Sequence, residues 1–179
     1  LLVGTSSTGT LDAAIGNTGV GTGVFGALTT GDNNVAVGLN ALDVMTTAAQ
    51  NTAVGACALA ATTTGGCNTG IGYLSLTSNT TGVDNIAIGR CALHSNTDTN
   101  ENVAIGNFAL RSNDNTNSVA IGFKALCANT TGANNTAVGT NSLDGNTTAS
   151  NNTSLGKSSL GANTTGASNT AVGKDALLA

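Results

Sequence analysis

The chain has 179 residues, enough for one globular domain, but only 8% are charged, against about 25% in typical soluble domains. Aromatic residues make up 2%, proline is absent, and the net charge is −4. No basic patch is present to neutralise phosphates, which argues against a nucleic-acid partner, and no apolar run approaches the ~18 residues of a membrane span, so we expect no membrane insertion.

A five-residue motif recurs from one end of the chain to the other. Asn51-Thr52-Ala53-Val54-Gly55 shows it in full, and we take its closing glycine as the anchor of each copy. Consecutive anchors lie 17 residues apart, except for one interval of 16 between Gly106 and Gly122. The anchors are Gly4, Gly21, Gly38, Gly55, Gly72, Gly89, Gly106, Gly122, Gly139, Gly156 and Gly173. An interval kept over the whole chain predicts that each copy is one structural repeat. Glycine at every anchor predicts a positive φ or a tight corner there.

Three residues before each anchor have the character of a short strand. The first and third are mostly β-branched and the middle one is Ala, Gly or Ser, as in Val35-Ala36-Val37. This alternation with a period of two predicts a strand with one bulky face and one small face. We expect the residue before each anchor to point into an apolar interior, either within the chain or between chains.

A second apolar segment follows each anchor. Leu stands four residues after the anchor in most copies, as at Leu76 and Leu93, and Ala or Ser precedes it. We expect this segment to be a second strand with its Leu in the interior. A polar turn such as Asn79-Thr80-Thr81-Gly82 then closes the copy. In that turn Asn and Thr can bond the backbone, and Gly can supply a positive φ.

Two short strands and two tight turns account for one copy and leave no room for a helix. The sequence therefore predicts an all-β fold, a parallel β-solenoid (β-roll) of about ten and a half 17-residue rungs. Residues 1–179 form a single repeat domain, which we expect to be a piece of a longer fibre because the chain begins and ends inside a repeat. Rungs stacked at ~4.8 Å make a rod of roughly 50 Å. The Asn that leads each copy, as at Asn51 and Asn68, would form a ladder along it.

The repeat unit resembles those in the head domains of trimeric autotransporter adhesins, and resembles still more closely the repeats of phage tail-fibre-like proteins. The resemblance is carried by 51–55, 102–106 and 135–139, and recurs along essentially the full length. It implies a left-handed roll with three chains side by side around a fibre axis. It also implies an extracellular position on a virion or cell surface and a role as adhesin head or fibre shaft. The implied partners are two further copies of the chain and a host surface receptor or glycan.

The residues do not indicate an enzyme. His94 is the single histidine, and the sequence offers no second histidine or paired acids that could activate a Ser or Thr. We expect no catalytic residues and no cofactor. Cys57 and Cys91 fall in one column two rungs apart, beyond disulfide reach within a chain, while Cys67 and Cys127 fall in other columns. The cysteines are thus small fillers or form disulfides between chains.

The positions just after the anchors vary from copy to copy and are the candidates for recognition of a surface. Their most distinctive residues are Tyr73, Arg90, Phe108, Phe123 and Lys124. Because the rest of each copy is fixed by the repeat, the residues at these positions would determine specificity for a receptor.

Four of the nine acidic residues gather near the short copy, and they form a candidate Ca²⁺ site. They are Asp84, Asp98, Glu101 and Asp114, on three adjacent rungs. Calcium takes six to eight oxygen ligands. A solvated turn has more support, because no repeated Asp-x-Asp loop occurs.

The sequence favours a non-enzymatic structural segment, a rigid trimeric shaft or head used for attachment. The alternative is an ice-binding β-solenoid, since threonine is abundant. A flat array of threonines is not visible, because Val35, Ile86 and Val103 interrupt the threonines of the strand column.

Overall fold

The computed structural model describes residues 14–178 and the two-residue strand Leu2–Val3. Eleven parallel strands form one sheet in chain order, and the described residues contain no helix, hence none that could cross a membrane. The strands are β1 Leu2–Val3, β2 Thr18–Val20, β3 Val35–Val37, β4 Thr52–Val54, β5 Thr69–Ile71, β6 Ile86–Ile88, β7 Val103–Ile105, β8 Val119–Ile121, β9 Thr136–Val138, β10 Thr153–Leu155 and β11 Thr170–Val172. The predicted all-β parallel solenoid is confirmed. The Gly4 anchor lies outside the described residues.

The strands pair at like positions of successive repeats. Ala36 of β3 is opposite Ala53 of β4, and Ala104 of β7 is opposite Ala120 of β8 across the short interval. The missing residue is absorbed in the turn at 113–117. There the Asn113 amide reaches the carbonyl two residues ahead, whereas Asn129 reaches the carbonyl three residues ahead. The sheet therefore keeps its register across a turn that is one residue shorter than the others.

Each rung has one strand, so the predicted second strand is wrong. In the segment after each anchor, the second and fourth residues have left-handed backbones, as at Leu74 (φ 56°) and Leu76 (φ 49°). Alternating left-handed residues cannot continue a pleated strand. The backbone still bonds to the next rung, since Leu76 N–H donates to the carbonyl of Ala92 at 3.0 Å. The side chain of Leu76 is fully buried, as predicted.

The core is a thin stack of three columns. It consists of the middle residue of each strand, the Ala or Ser three after the anchor, and the Leu that follows. Ala87, Ala92 and Leu93 show one such set, all fully buried. The interior is too narrow for larger groups. Even a Cβ added at Gly70 would lie 3.2 Å from Leu59 Cγ and from Ser75 Oγ. Small residues therefore set the thickness of the roll.

The bulky face of each strand points outward. Val20, Ile71 and Ile88 are 40%, 37% and 36% exposed. The expectation that the residue before each anchor lies inside the chain is therefore wrong. Side chains alternate along a strand, so a small residue that faces the narrow interior forces both its neighbours out. Burial of these residues between chains stays a prediction about the assembly.

The ten described anchors share a backbone that only glycine adopts readily. Their φ angles lie between 122° and 140°, and a Cβ at Gly89 would stand 2.6 Å from Gly106 O. The predicted positive φ at the anchors is confirmed. The positive φ that was predicted for the turn glycine is wrong, because the backbone of Gly82 is not left-handed. Gly82 instead allows a close approach, since a Cβ there would collide with Thr99 O and Asn79 Oδ1.

Two columns of buried asparagines run along the rod. In the predicted ladder, the Oδ1 of Asn51 accepts the backbone N–H of Asn68 at 2.9 Å, and Asn68 Nδ2 donates to Gly82 O at 2.8 Å. The turn asparagine Asn79 also donates to Gly82 O, at 3.1 Å, and Oδ1 of Asn79 accepts from Asn96 at 3.0 Å. The first column is confirmed as a ladder, and the turn asparagines form an unpredicted second one. Both ladders satisfy backbone groups that the corners would otherwise leave buried and unpaired.

Candidate functional site

A basic–aromatic cluster lies on the rungs that begin at the anchors Gly89, Gly106 and Gly122. It consists of Arg90, Phe108, Arg111, Phe123 and Lys124. The two phenyl rings meet edge to face, with centroids 6.2 Å apart and planes at 75°. The Arg90 guanidinium carbon lies 4.5 Å from the Phe108 centroid, and Lys124 Nζ lies 5.5 Å from the Phe123 centroid. These distances are typical of cation–π contacts.

The rung geometry positions these side chains. Arg90 and Phe123 are the first residues after their anchors, and Phe108 and Lys124 are the second. Phe108 and Lys124 have left-handed backbones, with φ of 63° and 56°. The Phe108 N–H donates to Arg90 O at 2.9 Å, and the Lys124 N–H donates to Asn107 O at 3.0 Å. Each ring and cation therefore extends from a backbone that is bonded to the neighbouring rung.

An open pocket of about 400 Å³ lies beside the cluster. Its lining residues are Phe108, Arg111, Lys124, Cys127, Ala128 and Asp144. Arg111, Cys127 and Asp144 are each the fifth residue after an anchor, so they stack on three successive rungs. The Arg111 guanidinium carbon is 5.8 Å from the Phe108 centroid. Sequence reasoning missed Arg111 and Asp144, although the repeat interval places both in the Cys127 column.

The pocket is a cationic region of an acidic chain. Of the five basic residues, three belong to the cluster. Within residues 14–178, the one ion pair joins Lys174 and Asp175 at 3.4 Å. The cations Arg90, Arg111 and Lys124 therefore have no carboxylate of the described residues within ion-pair distance.

Partial burial shifts the titration of the groups around Arg111. Burial raises the pKa of the Asp144 carboxyl, and backbone N–H groups and the Lys124 charge oppose that rise. Burial also raises the pKa of the Cys127 thiol against the charges of Arg111 and Lys124. The pKa of His94 is lowered by burial and, secondarily, by Arg111. His94 is therefore neutral at pH 7 and adds no further positive charge.

Four of the five sequence candidates for recognition come together in the cluster. Arg90, Phe108, Phe123 and Lys124 are joined by the ring and cation contacts given above. Tyr73 is 54% exposed and lies one rung before Arg90 in the same column, where Cys91 N–H donates to its carbonyl at 3.0 Å. The candidates thus occupy one edge of four successive rungs.

The acidic candidates separate into two places. Asp98 and Asp114 both accept from the hydroxyl of Thr97, at 3.2 and 3.3 Å, whereas Asp84 and Glu101 precede the leading asparagines of their rungs. All four are exposed. Among residues 14–178 no three His, Cys, Asp or Glu side chains lie close enough to hold a metal ion. The geometry gives the calcium hypothesis no support.

The four cysteines are free thiols in the single chain. Cys57, Cys91 and Cys127 are half-buried, and Cys67 is exposed and donates from Sγ to Gln50 Oε1 at 3.3 Å. Disulfides between chains stay a prediction about the assembly.

A column of turn threonines uses its hydroxyl groups inside the chain. The hydroxyls of Thr63, Thr80 and Thr130 donate to carbonyls of the next rung at 3.2, 3.0 and 2.9 Å. Asp114 interrupts the column. These hydroxyl hydrogens are therefore not free to order water at the surface.

Comparison with known proteins identifies no relative. No family model matches the chain, and neither the curated proteins nor the solved structures give a significant match.

Proposed function

We propose that the chain is a non-enzymatic structural segment of a fibre or adhesin, in which three parallel copies form a rigid attachment rod on a virion or cell surface. One observation supports this most directly, an apolar stripe on the outward face of the sheet. The stripe is the column before the anchors, Val20, Val37, Val54, Ile71, Ile88, Ile105, Ile121, Val138, Leu155 and Val172. Seven of these ten are 36% exposed or more.

The stripe is too long and too apolar for a face that meets only water. Ten rungs at ~4.8 Å extend it over about 43 Å, and Val35, Ile86 and Val103 widen it on one side. No charged residue stands in either outward column of β2 to β11. Soluble monomers rarely expose contiguous apolar patches above a few hundred Å². A partner on this face would remove apolar surface from water.

A further copy of the same chain is the occupant that fits best. Its stripe has the same length and the same spacing between rungs, so identical columns can pack against one another along the whole rod. Closed symmetric assemblies of this kind are the common form of homo-oligomers. The choice of three copies follows the resemblance of the repeats to trimeric adhesin heads. Attachment is assigned to the variable residues after the anchors, where the basic–aromatic cluster lies.

Ice binding is the alternative, and it has less support. It needs an unbroken outward array of threonines, whereas Val35, Ile86 and Val103 face outward among Thr52, Thr69 and other threonines. The turn threonines donate their hydroxyls to the backbone. Thermal hysteresis in a solution of the purified protein would favour this alternative.

Sedimentation equilibrium tests the proposed assembly. We expect a trimer at micromolar concentration, and we expect Ile71→Lys combined with Ile88→Lys to dissociate it by burying charge at the interface. A matched control is Leu39→Lys combined with Val44→Lys, two residues that are 53% and 41% exposed but lie outside the strands. The control should stay trimeric. A wild-type protein that sediments as a stable monomer would contradict the proposal.

A further inference from the structure

We infer that the pocket beside the basic–aromatic cluster binds an acidic sugar, a saccharide that carries a carboxylate. The inference deepens the proposed attachment role and rests on it for its biological meaning. The binding chemistry itself depends on the residues of the pocket alone.

The charges of the pocket select an anion. Arg111 and Lys124 line it, and neither has a carboxylate partner within 4.0 Å among the described residues. A guanidinium is a planar fork that can bond both oxygens of a carboxylate. The chain as a whole is acidic, with a net charge of −4, so attraction of an anion is a property of this region and not of the molecule.

The walls of the pocket favour a ring with an apolar face. Phe108, Cys127 and Ala128 line it beside the two cations, and the Phe108 ring is held in place by its edge-to-face contact with Phe123. Sugar rings present C–H groups on one face and hydroxyls around the edge. An aromatic wall next to a cation can therefore pack the ring while the cation holds the carboxylate.

Asp144 supplies what a simple anion site lacks. Its carboxyl lines the same pocket and is only partly buried, so it can accept hydrogen bonds from sugar hydroxyls. A carboxylate in an anion site repels the anion and is useful only if the ligand also brings donors. The combination of Arg111, Lys124 and Asp144 thus fits a ligand with both an acidic group and hydroxyls.

The size and charge of the site argue against larger polyanions. About 400 Å³ is at the small end of the roughly 300–1,000 Å³ of ligand pockets, which suits a short saccharide. Nucleic acids bind through many phosphate contacts, whereas two cations line this pocket and a third, Arg90, lies over the Phe108 ring. The other two basic residues, Lys157 and Lys174, belong to later rungs.

The test is titration of the full chain with 3′-sialyllactose and with trigalacturonate, followed by NMR and calorimetry. The two probes separate sialic acid from uronic acid as the source of the carboxylate, and lactose is the neutral control. We expect at least one acidic probe to bind with a dissociation constant on the order of 1 mM, as a few contacts in an open site allow, and lactose not to bind. Arg111→Gln and Lys124→Gln should each weaken binding about tenfold.

Two controls make the result decisive. Lys157→Gln and Lys174→Gln remove the same charge on later rungs and should leave the affinity unchanged. Asp144→Ala should weaken the acidic sugar but strengthen acetate, which has no hydroxyls. Three results would overturn the inference. The first is that neither acidic probe binds at 10 mM, about ten times the expected dissociation constant. The others are an equal loss of affinity in the Lys157 and Lys174 controls, and a sulfated disaccharide that binds more tightly than the acidic probes.

Sedimentation of the same samples separates this inference from the proposed assembly. A trimer that binds neither acidic probe contradicts the sugar site alone. A monomer that binds one of them with the expected losses contradicts the trimeric rod alone and leaves the site established.

Discussion

A methyl group cannot be placed on the anchor glycines from Gly21 to Gly156 without moving the next rung. Gly89→Ala would put its Cβ 2.6 Å from Gly106 O, on a backbone with φ of 130°. We expect a loss of about 3 kcal/mol or more, from the combined collision and left-handed strain. Thermal unfolding followed by circular dichroism measures it. Gly161→Ala is the control, because its Cβ would first meet the end of the Leu178 side chain at 3.1 Å. Equal losses in the two variants would contradict this account.

Thr62 marks a gap at the start of the second asparagine ladder. Its hydroxyl is buried and has no hydrogen-bond partner in the part of the chain that the structure describes, and one rung later the same position is Asn79. Thr62→Asn would let an amide donate to Gly65 O and accept from Asn79. We expect a gain of about 1 kcal/mol, seen as a higher melting temperature. Thr64→Asn, at an exposed position of the same turn, should change little. A lower melting temperature for Thr62→Asn would show that the ladder is not extended.

Residue types predicted some backbone conformations and concealed others. The anchors were predictable because only glycine tolerates a φ near 130°. Leu74, Cys91 and Phe108 also have left-handed backbones. Because residues of these types ordinarily avoid that region, the sequence did not indicate this conformation. The Phe108 and Lys124 site was partly predictable because the variable positions follow the anchors. Arg111 and Asp144 were missed because their column varies without a distinctive residue type.

At the scale of the element, the leading asparagines connect each corner to the next. Asn85 Oδ1 accepts the N–H of Asn102 at 3.1 Å, and Asn85 Nδ2 donates to Thr99 O at 2.8 Å. Asn85→Ala leaves the Asn102 N–H buried without a partner and leaves Thr99 O with the Asn96 amide alone, at 3.2 Å. We expect a loss of about 1–3 kcal/mol in the free energy of unfolding. Urea denaturation measures it.

Natural variation within the ladder supplies the comparison for Asn85. Ser118 occupies the same column and its Oγ accepts from Asn135 N–H at 3.4 Å, so Asn85→Ser should cost less than Asn85→Ala. Asn107→Ala removes an exposed amide with one bond, from Arg90 N–H at 2.9 Å, and should cost under about 1 kcal/mol. If Asn107→Ala lowers the free energy of unfolding as much as Asn85→Ala does, then burial of the amide does not explain the contribution of the ladder to stability.

The strand was predictable as an element, but its orientation was not. Period-two alternation located β3 and its equivalents, yet the same pattern arises whichever face is inside. Because the interior is narrow, the face that carries Ala36 and Ala53 is the buried one. The width of the interior is set by the closed rung and cannot be read from the alternation of residues in one strand. The expected second strand failed for a related reason. Its Leu is correctly buried, but left-handed residues at alternate positions replace the pleat.

At the scale of the whole molecule, the rod should accept the removal of one complete rung. Deletion of residues 52–68 joins Asn51 to Thr69 and restores the motif. Each rung contacts its neighbours alone, so the shortened rod should fold with a modest change in stability. Small-angle scattering should show a rod shorter by about 4.8 Å.

A deletion out of phase is the matched control. Removal of residues 52–60 joins Asn51 to Ala61 and places turn residues opposite strand residues on one side of the junction. Far-ultraviolet circular dichroism should then show a loss of β structure. If both deletion variants fold equally well, then the ladders and anchors do not hold the rungs in register.

The short rung has a consequence for how such a chain can change over generations. Its missing residue falls in the turn at 113–117, while β7 and β8 remain in register. We therefore expect insertions and deletions at this corner to leave the sheet unaltered, and those in a strand or at an anchor to disrupt it. Length variation should accumulate at the corner, which makes it the natural place to graft a foreign peptide for display along the rod.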